Sequence, residues 1–90
     1  MNVTPLDDYM CVRHIQKPEV ILNGDLFQAE IVSMGPEVNV PSEYQEKAGN
    51  FRELKVGEKV IVDSYDPVGV TIENNDYRFI GRGDIKAILG

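Results

Sequence analysis

The apolar residues of this 90-residue chain come in short runs rich in Val and Ile, interrupted by turn residues roughly every 8–12 positions. No stretch keeps the 3.6-residue period of an amphipathic helix for three turns. That spacing points to a small all-β domain. The clearest alternation is Val68-Gly69-Val70-Thr71-Ile72, which puts Val68, Val70 and Ile72 on one face. Glu73-Asn74-Asn75-Asp76 then turns the chain, and Tyr77-Arg78-Phe79-Ile80 alternates again to complete a hairpin. Lys59–Ser64 reads as another strand, launched by Gly57 and followed by Asp66-Pro67, with Val60 and Val62 facing one way. Tyr9–His14, Gln28–Met34 and Asp84–Leu89 supply three more.

Ninety residues make one domain, 1–90, with a single core and little room for a large catalytic cleft. Nine Lys and Arg against fifteen Asp and Glu leave a net charge of −6, which argues against nucleic acid as a partner. Cys11 is the one cysteine, so neither an internal disulfide nor a Cys-based zinc site is expected, and no metal or cofactor is implied. The longest apolar run, Tyr9–Val12, is far short of the roughly 20 residues of a membrane helix. The N-terminus lacks a basic stretch followed by an apolar one, so the expected compartment is the cytoplasm. On that reading the Asn2-Val3-Thr4 sequon and the Arg82-Gly83-Asp84 tripeptide are accidental.

Candidate catalytic groups are sparse, and no enzyme is expected. Asp7 and Asp8 are adjacent, so in a strand they face opposite ways and cannot share a proton; they read as solvated turn residues. His14 is the only histidine, and Cys11, three residues away, falls on the other face of a strand and packs as a small apolar residue. Gly81-Arg82-Gly83 lacks the rest of a phosphate loop and reads as a turn. If there were catalysis, its base would have to come from Asp7, Asp8 or His14.

Two segments stand outside the strand pattern. In Gln16–Leu26, Lys17-Pro18-Glu19 precedes the apolar triplet Val20-Ile21-Leu22 and then Asn23-Gly24. Asn23-Gly24 suits a type I′ turn, which would pair the triplet with Leu26-Phe27 inside the core. Three adjacent aliphatics in a polar, Pro-flanked loop equally suit a docking anchor for another protein. Pro36–Phe51 is the second segment, where Ser42 and Gln45 form a capping box for a turn or two of helix. The terminal strands, if they are sheet edges, leave backbone groups unpaired, and Ile85-Lys86-Ala87-Ile88-Leu89 carries one Lys and no Pro to guard its edge. Pairing between different edges of neighbouring copies is head-to-tail and closes into a ring when the rotation permits.

Four motifs run in order across nearly the whole chain, Met1–Asp8, Ala29–Gly35, Lys55–Val62 and the run from Tyr65 through Ile72, Tyr77 and Phe79 to Leu89, and together they resemble the GroES-type 10-kDa co-chaperonins. The opening Met1-Asn2-Val3-Thr4-Pro5-Leu6-Asp7-Asp8 is similar to that family's Pro-Leu-x-Asp start. Ala29-Glu30-Ile31-Val32-Ser33-Met34-Gly35 resembles its Gly-x-Val-x-x-x-Gly strand, and Lys55-Val56-Gly57-Glu58-Lys59-Val60-Ile61-Val62 its Val-Gly-Asp-x-Val strand. The run from Tyr65 through Ile72, Tyr77 and Phe79 to Asp84-Ile85-Lys86-Ala87-Ile88-Leu89 is similar to the closing Glu-Tyr-x-Ile-x-x-x-x-Asp-Ile-x-Ala-Ile.

The resemblance implies a small GroES-like β-barrel with two extended loops, in a heptameric ring that caps an ATP-bound GroEL-type chaperonin over an unfolded client protein. It places the chaperonin-binding mobile loop at Lys17–Phe27, with Val20, Ile21 and Leu22 as its apolar triplet, and the roof hairpin at Val38–Phe51. It implies a subunit contact between the C-terminal strand (Ile85, Ala87, Ile88, Leu89) and the next copy's N-terminal segment (Val3, Pro5, Leu6), and a cavity-facing Tyr65. The chain departs from the family pattern in a loop several residues shorter, in Pro18-Glu19 where Gly-Gly is usual, and in Tyr9 where Arg is common. Such trimming suits a virus-encoded copy working in bacterial or infected-host cytoplasm. The alternative is a β-barrel interaction module with the same fold and no chaperonin, in which the triplet belongs to the core.

Overall fold

A computed structural model describes residues 3–49, 51–63 and 68–89. Six strands form one antiparallel sheet: β1 (Tyr9–His14), β2 (Leu26–Met34), β3 (Lys59–Asp63), β4 (Val68–Ile72), β5 (Asn75–Gly81) and β6 (Ile85–Leu89). Their order across the sheet is β4-β5-β1-β2-β3-β6. The expected all-β class is therefore observed, and the strand pattern read from Val, Ile and turn residues holds with small shifts.

The core is built by period-two alternation on the four central strands. Met10 and Val12 of β1, Ala29 and Ile31 of β2, Val60 and Val62 of β3, and Ile80 of β5 pack into one buried cluster. Ile85 and Ile88 of β6 pack against the same cluster. Strands from both sides of the sheet thus share one core, so the sheet curls around it as a barrel does. Cys11 is fully buried on the opposite face of β1, where burial raises its thiol pKa and the Ser33 hydroxyl pulls it back down.

The most regular alternation in the sequence gives the least buried strand. Val68 of β4 is 73% exposed, and Val70 is exposed as well, because β4 pairs only with β5 and ends the sheet. The β4–β5 turn is also tighter than Glu73–Asp76. Glu73 and Asn74 both have positive φ (52° and 68°), so a two-residue turn of the I′ kind joins Ile72 to Asn75 and matches the strand twist.

The segment Pro36–Phe51 includes the stretch Val38–Phe51 expected as the roof loop. Its regular structure is a short helix, α1 (Glu43–Ala48), among the described residues. The capping box read from the sequence is what starts it. Ser42 Oγ accepts from the Gln45 N–H, and Gln45 Oε1 accepts from the Ser42 N–H. Gly49 ends it in the left-handed region, and Glu43 pairs with Lys47 one turn on.

Arg82, in a single 3-10 turn (Arg82–Asp84), ties this segment to the sheet. Its guanidinium donates to the Val38 carbonyl at 3.1 Å, to Asn39 Oδ1 at 3.3 Å and to the Arg52 carbonyl, and lies 4.3 Å from the Phe51 ring centre. Asn39 closes the same staple by exchanging two 2.8 Å hydrogen bonds with Leu54. Hydrogen bonds from a charged donor contribute about 1.5–3 kcal/mol. Arg82→Ala is expected to cost about 2 kcal/mol in urea unfolding and to open residues 39–49 to proteolysis; an unchanged midpoint would contradict the staple.

Candidate docking loop and sheet edges

The loop between β1 and β2 spans residues 15–25 and contains no strand. Two features keep its apolar triplet from joining the sheet. Pro18 has no N–H to donate, and the Glu19 N–H is spent on the Gln28 side chain instead of a strand partner. The turn before β2 is closed by the Leu26 N–H donating to the Asn23 carbonyl at 3.4 Å, with positive φ on Gly24 alone. A type I′ turn on Asn23-Gly24 would require positive φ at both residues, so the hairpin that would bury the triplet does not form. Ile21 is 93% exposed, Val20 is exposed and Leu22 is half-buried. The reading of the triplet as core is overturned.

The stems of the loop are held by polar contacts. His14, the last residue of β1, sits edge-on to Phe27 with ring centres 5.1 Å apart. Its Nδ1 lies 3.4 Å from Asp76 Oδ2, and Arg78 donates to both Asp76 oxygens at 2.8 and 3.0 Å. The Arg78 guanidinium, with a smaller contribution from His14, holds the Asp76 carboxyl below the usual carboxylate range. A depressed folded-state pKa gives stability that is present above the unfolded value and is lost as pH falls through the folded one. Asp76→Asn is therefore expected to lower stability at neutral pH and to converge with wild type in acid. Equal losses at both pH values would contradict this assignment.

The edges divide differently from the expectation. β6 is an edge: it pairs with β3 through Lys59–Leu89, Val60–Ile88, Ile61–Ala87 and Val62–Ile85, and its other side has no strand partner among the described residues. β1 is not, because it lies between β5 and β2. The free N-terminal element is the extended segment before it. Val3 accepts from Ser33 Oγ at 2.8 Å, Pro5 is buried, and Leu6 is 73% exposed just before the exposed pair Asp7-Asp8. Along β6 runs a groove of about 550 Å³ lined by Leu54, Ile85, Ala87 and Ile88 together with Arg52, Arg82 and Lys86.

Tyr65 lies outside the described residues. No cluster of metal-ligating side chains occurs among the described residues, and no helix there is long and apolar enough to cross a membrane. Gln28 and Arg82 were not legible as site residues. Their partners are main-chain groups far along the chain, which leave no local pattern.

These features define a class: a small antiparallel β domain that presents an apolar tip on the β1–β2 loop and an open sheet edge at β6. No family model matches the chain. Curated relatives do. The chain is 30% identical to the co-chaperonin GroES of Halothermothrix orenii, over 99% of this chain and 98% of the relative. It is 29% identical to that of Acetivibrio thermocellus and 30% identical to that of Alkaliphilus metalliredigens, each over 99% of both chains. The chain belongs to the GroES co-chaperonin family.

Proposed function

We propose that this co-chaperonin is one subunit of a ring-shaped lid that docks on a GroEL-type chaperonin in its ATP-bound state, through Val20, Ile21 and Leu22. The observation that carries the proposal is the 93% exposure of Ile21 in a strandless loop, in a chain related end to end to co-chaperonins. An aliphatic side chain so exposed has most of its transfer free energy still to gain on meeting an apolar surface. Burying three contributes roughly 5–9 kcal/mol, at about 1.5–3 each. Ordering a loop costs about 1–2 kcal/mol per residue, so a single loop binds weakly. Several loops on one ring bind in concert, because each later contact is intramolecular. Such a lid engages and releases as the chaperonin cycles.

The ring itself is supported by the two free elements. The β6 groove offers Lys86 beside Ile85, Ala87 and Ile88, with Arg52 there paired to Glu58 and Arg82 held in the staple, while the N-terminal segment offers Leu6 followed by Asp7 and Asp8. Lys86 against Asp7-Asp8, and the open edge of β6, suit a contact between neighbouring copies, with Val3 and Pro5 upstream and Leu89 closing the strand. In this reading seven copies enclose an unfolded client in the cytoplasm, Tyr65 faces the cavity, and the lid does no chemistry of its own. Asp7→Asn/Asp8→Asn is expected to weaken the ring several-fold at low salt and to have little effect at 0.5 M salt, measured by sedimentation velocity. The same weakening at both salt levels would remove the charge pairing.

Hydrogen exchange tests the docking reading. The amides of Val20, Ile21 and Leu22 should exchange rapidly in the free ring and become protected in the ATP-bound chaperonin complex. Protection elsewhere, with these three amides unchanged, would displace the site from the loop.

A further inference from the structure

Gln28 is a buried polar residue near the start of β2, 1% exposed, and it faces away from the hydrophobic cluster that its neighbour Ala29 joins. A buried amide needs hydrogen-bond partners, and this one finds a partner in the docking loop. Gln28 Oε1 accepts the Glu19 N–H at 2.8 Å, and the Gln28 main-chain carbonyl accepts the Ile15 N–H at 2.9 Å. From the loop side, the Glu19 carboxylate pairs with Lys59 on β3. Glu19 is thus held by main chain and side chain, immediately before Val20. The remaining span to β2 is residues 20–25, about half of the loop.

We infer that Gln28 is a positioning residue for chaperonin docking: by pinning Glu19 to the sheet it presents Val20-Ile21-Leu22 partly ordered, and so raises docking affinity. The inference rests on the docking reading above. Its physical basis is that a segment fixed before binding loses less freedom on binding. The first half of the loop is tied to the sheet at Ile15 and Glu19, and the exposed Ile21 follows the pin by two residues. A shortened loop gains twice from such a pin, since fewer residues remain to be ordered and the triplet keeps a fixed point of departure. The exposed Glu19–Lys59 pair adds less than the buried amide.

The test uses the intact ring with Gln28→Leu, which removes the acceptor while filling the space, and Gln28→Glu, which keeps an acceptor oxygen. The Glu19 amide exchange rate and the affinity for ATP-bound chaperonin are read together. Gln28→Leu should speed Glu19 exchange at least ten-fold and weaken docking about ten-fold with the ring mass unchanged, and Gln28→Glu should recover part of both. Should Gln28→Leu fail to fold, Glu19→Gly/Lys59→Met loosens the same pin from the surface, with an expected three- to five-fold loss of affinity. Wild-type affinity despite a freed Glu19 amide, or tighter docking, would overturn the inference. Ile21→Ser run alongside separates the two ideas: lost docking there with unaffected docking in Gln28→Leu defeats the pin alone, and wild-type docking by Ile21→Ser defeats both.

Discussion

Ile21→Ser/Leu22→Ser is expected to abolish ATP-dependent binding to a GroEL-type chaperonin while leaving the ring and its stability nearly intact. Each aliphatic side chain contributes about 1.5–3 kcal/mol on burial, so the pair removes about 3–6 kcal/mol from every loop. Because the loops act together, that loss recurs around the ring and takes binding below detection at micromolar concentrations. The fold should tolerate the change, since Ile21 is 93% exposed and Leu22 belongs to no strand and no part of the core cluster. An exposed substitution such as that at Ile21 usually moves stability by about 0.5 kcal/mol or less, and the half-buried Leu22 adds a modest further loss. Isothermal titration and urea unfolding on the same samples check both halves. Residual tight binding would move the anchor elsewhere, and a large fall in the urea midpoint would return the triplet to the core.

Gly35→Ala is expected to be the most damaging single substitution for the fold. A Cβ at this buried position would lie 2.4 Å from the Asp7 carbonyl oxygen and 2.9 Å from those of Leu6 and Tyr9. All three are backbone atoms, so no side chain can swing aside. Relief requires the 6–9 turn to move away from the end of β2, which stretches two hydrogen bonds: Gly35 N–H to Tyr9 (2.8 Å) and Glu37 N–H to Asp7 (2.9 Å). Asp7 already holds a positive φ of 53° in that turn, leaving little slack. Overpacking costs about 1–3 kcal/mol, and with strained hydrogen bonds a loss of about 3 kcal/mol follows. For a domain of this size that lowers Tm by roughly 12–24 °C at about 4–8 °C per kcal/mol. The same shift displaces Val3–Leu6, so ring assembly should suffer with it. A change of only a degree or two would mean that the turn yields freely.

The strands were legible because their alternation and their turn residues agree. Tyr9–His14 and Val68–Ile72 have the boundaries read from the sequence, and α1 starts at the capping box of Ser42 and Gln45. Burial was less legible. Val68 and Val70 alternate as well as Val60 and Val62, yet only the second pair is core, because sheet order decides which strands are covered and no local pattern encodes sheet order. The same reason kept β1 from being recognised as a central strand. The triplet Val20-Ile21-Leu22 stood open between core and docking anchor, and what decides it is the turn and the pin around it: Gly24 alone takes positive φ, and Gln28 holds Glu19. Arg82 looked like a turn residue between glycines, and its role as a staple depends on carbonyls at Val38 and Arg52.

The proposed function turns on one property, a ring of this chain that docks on a chaperonin only when ATP is bound. Native mass spectrometry of the wild-type protein, alone and mixed with a GroEL-type chaperonin with and without ATP, tests it most directly. The predicted result is a closed homo-oligomer of seven copies, joining the chaperonin as one unit in the presence of ATP and leaving when ATP is removed. A well-folded monomer that never joins the chaperonin under any nucleotide condition would contradict it.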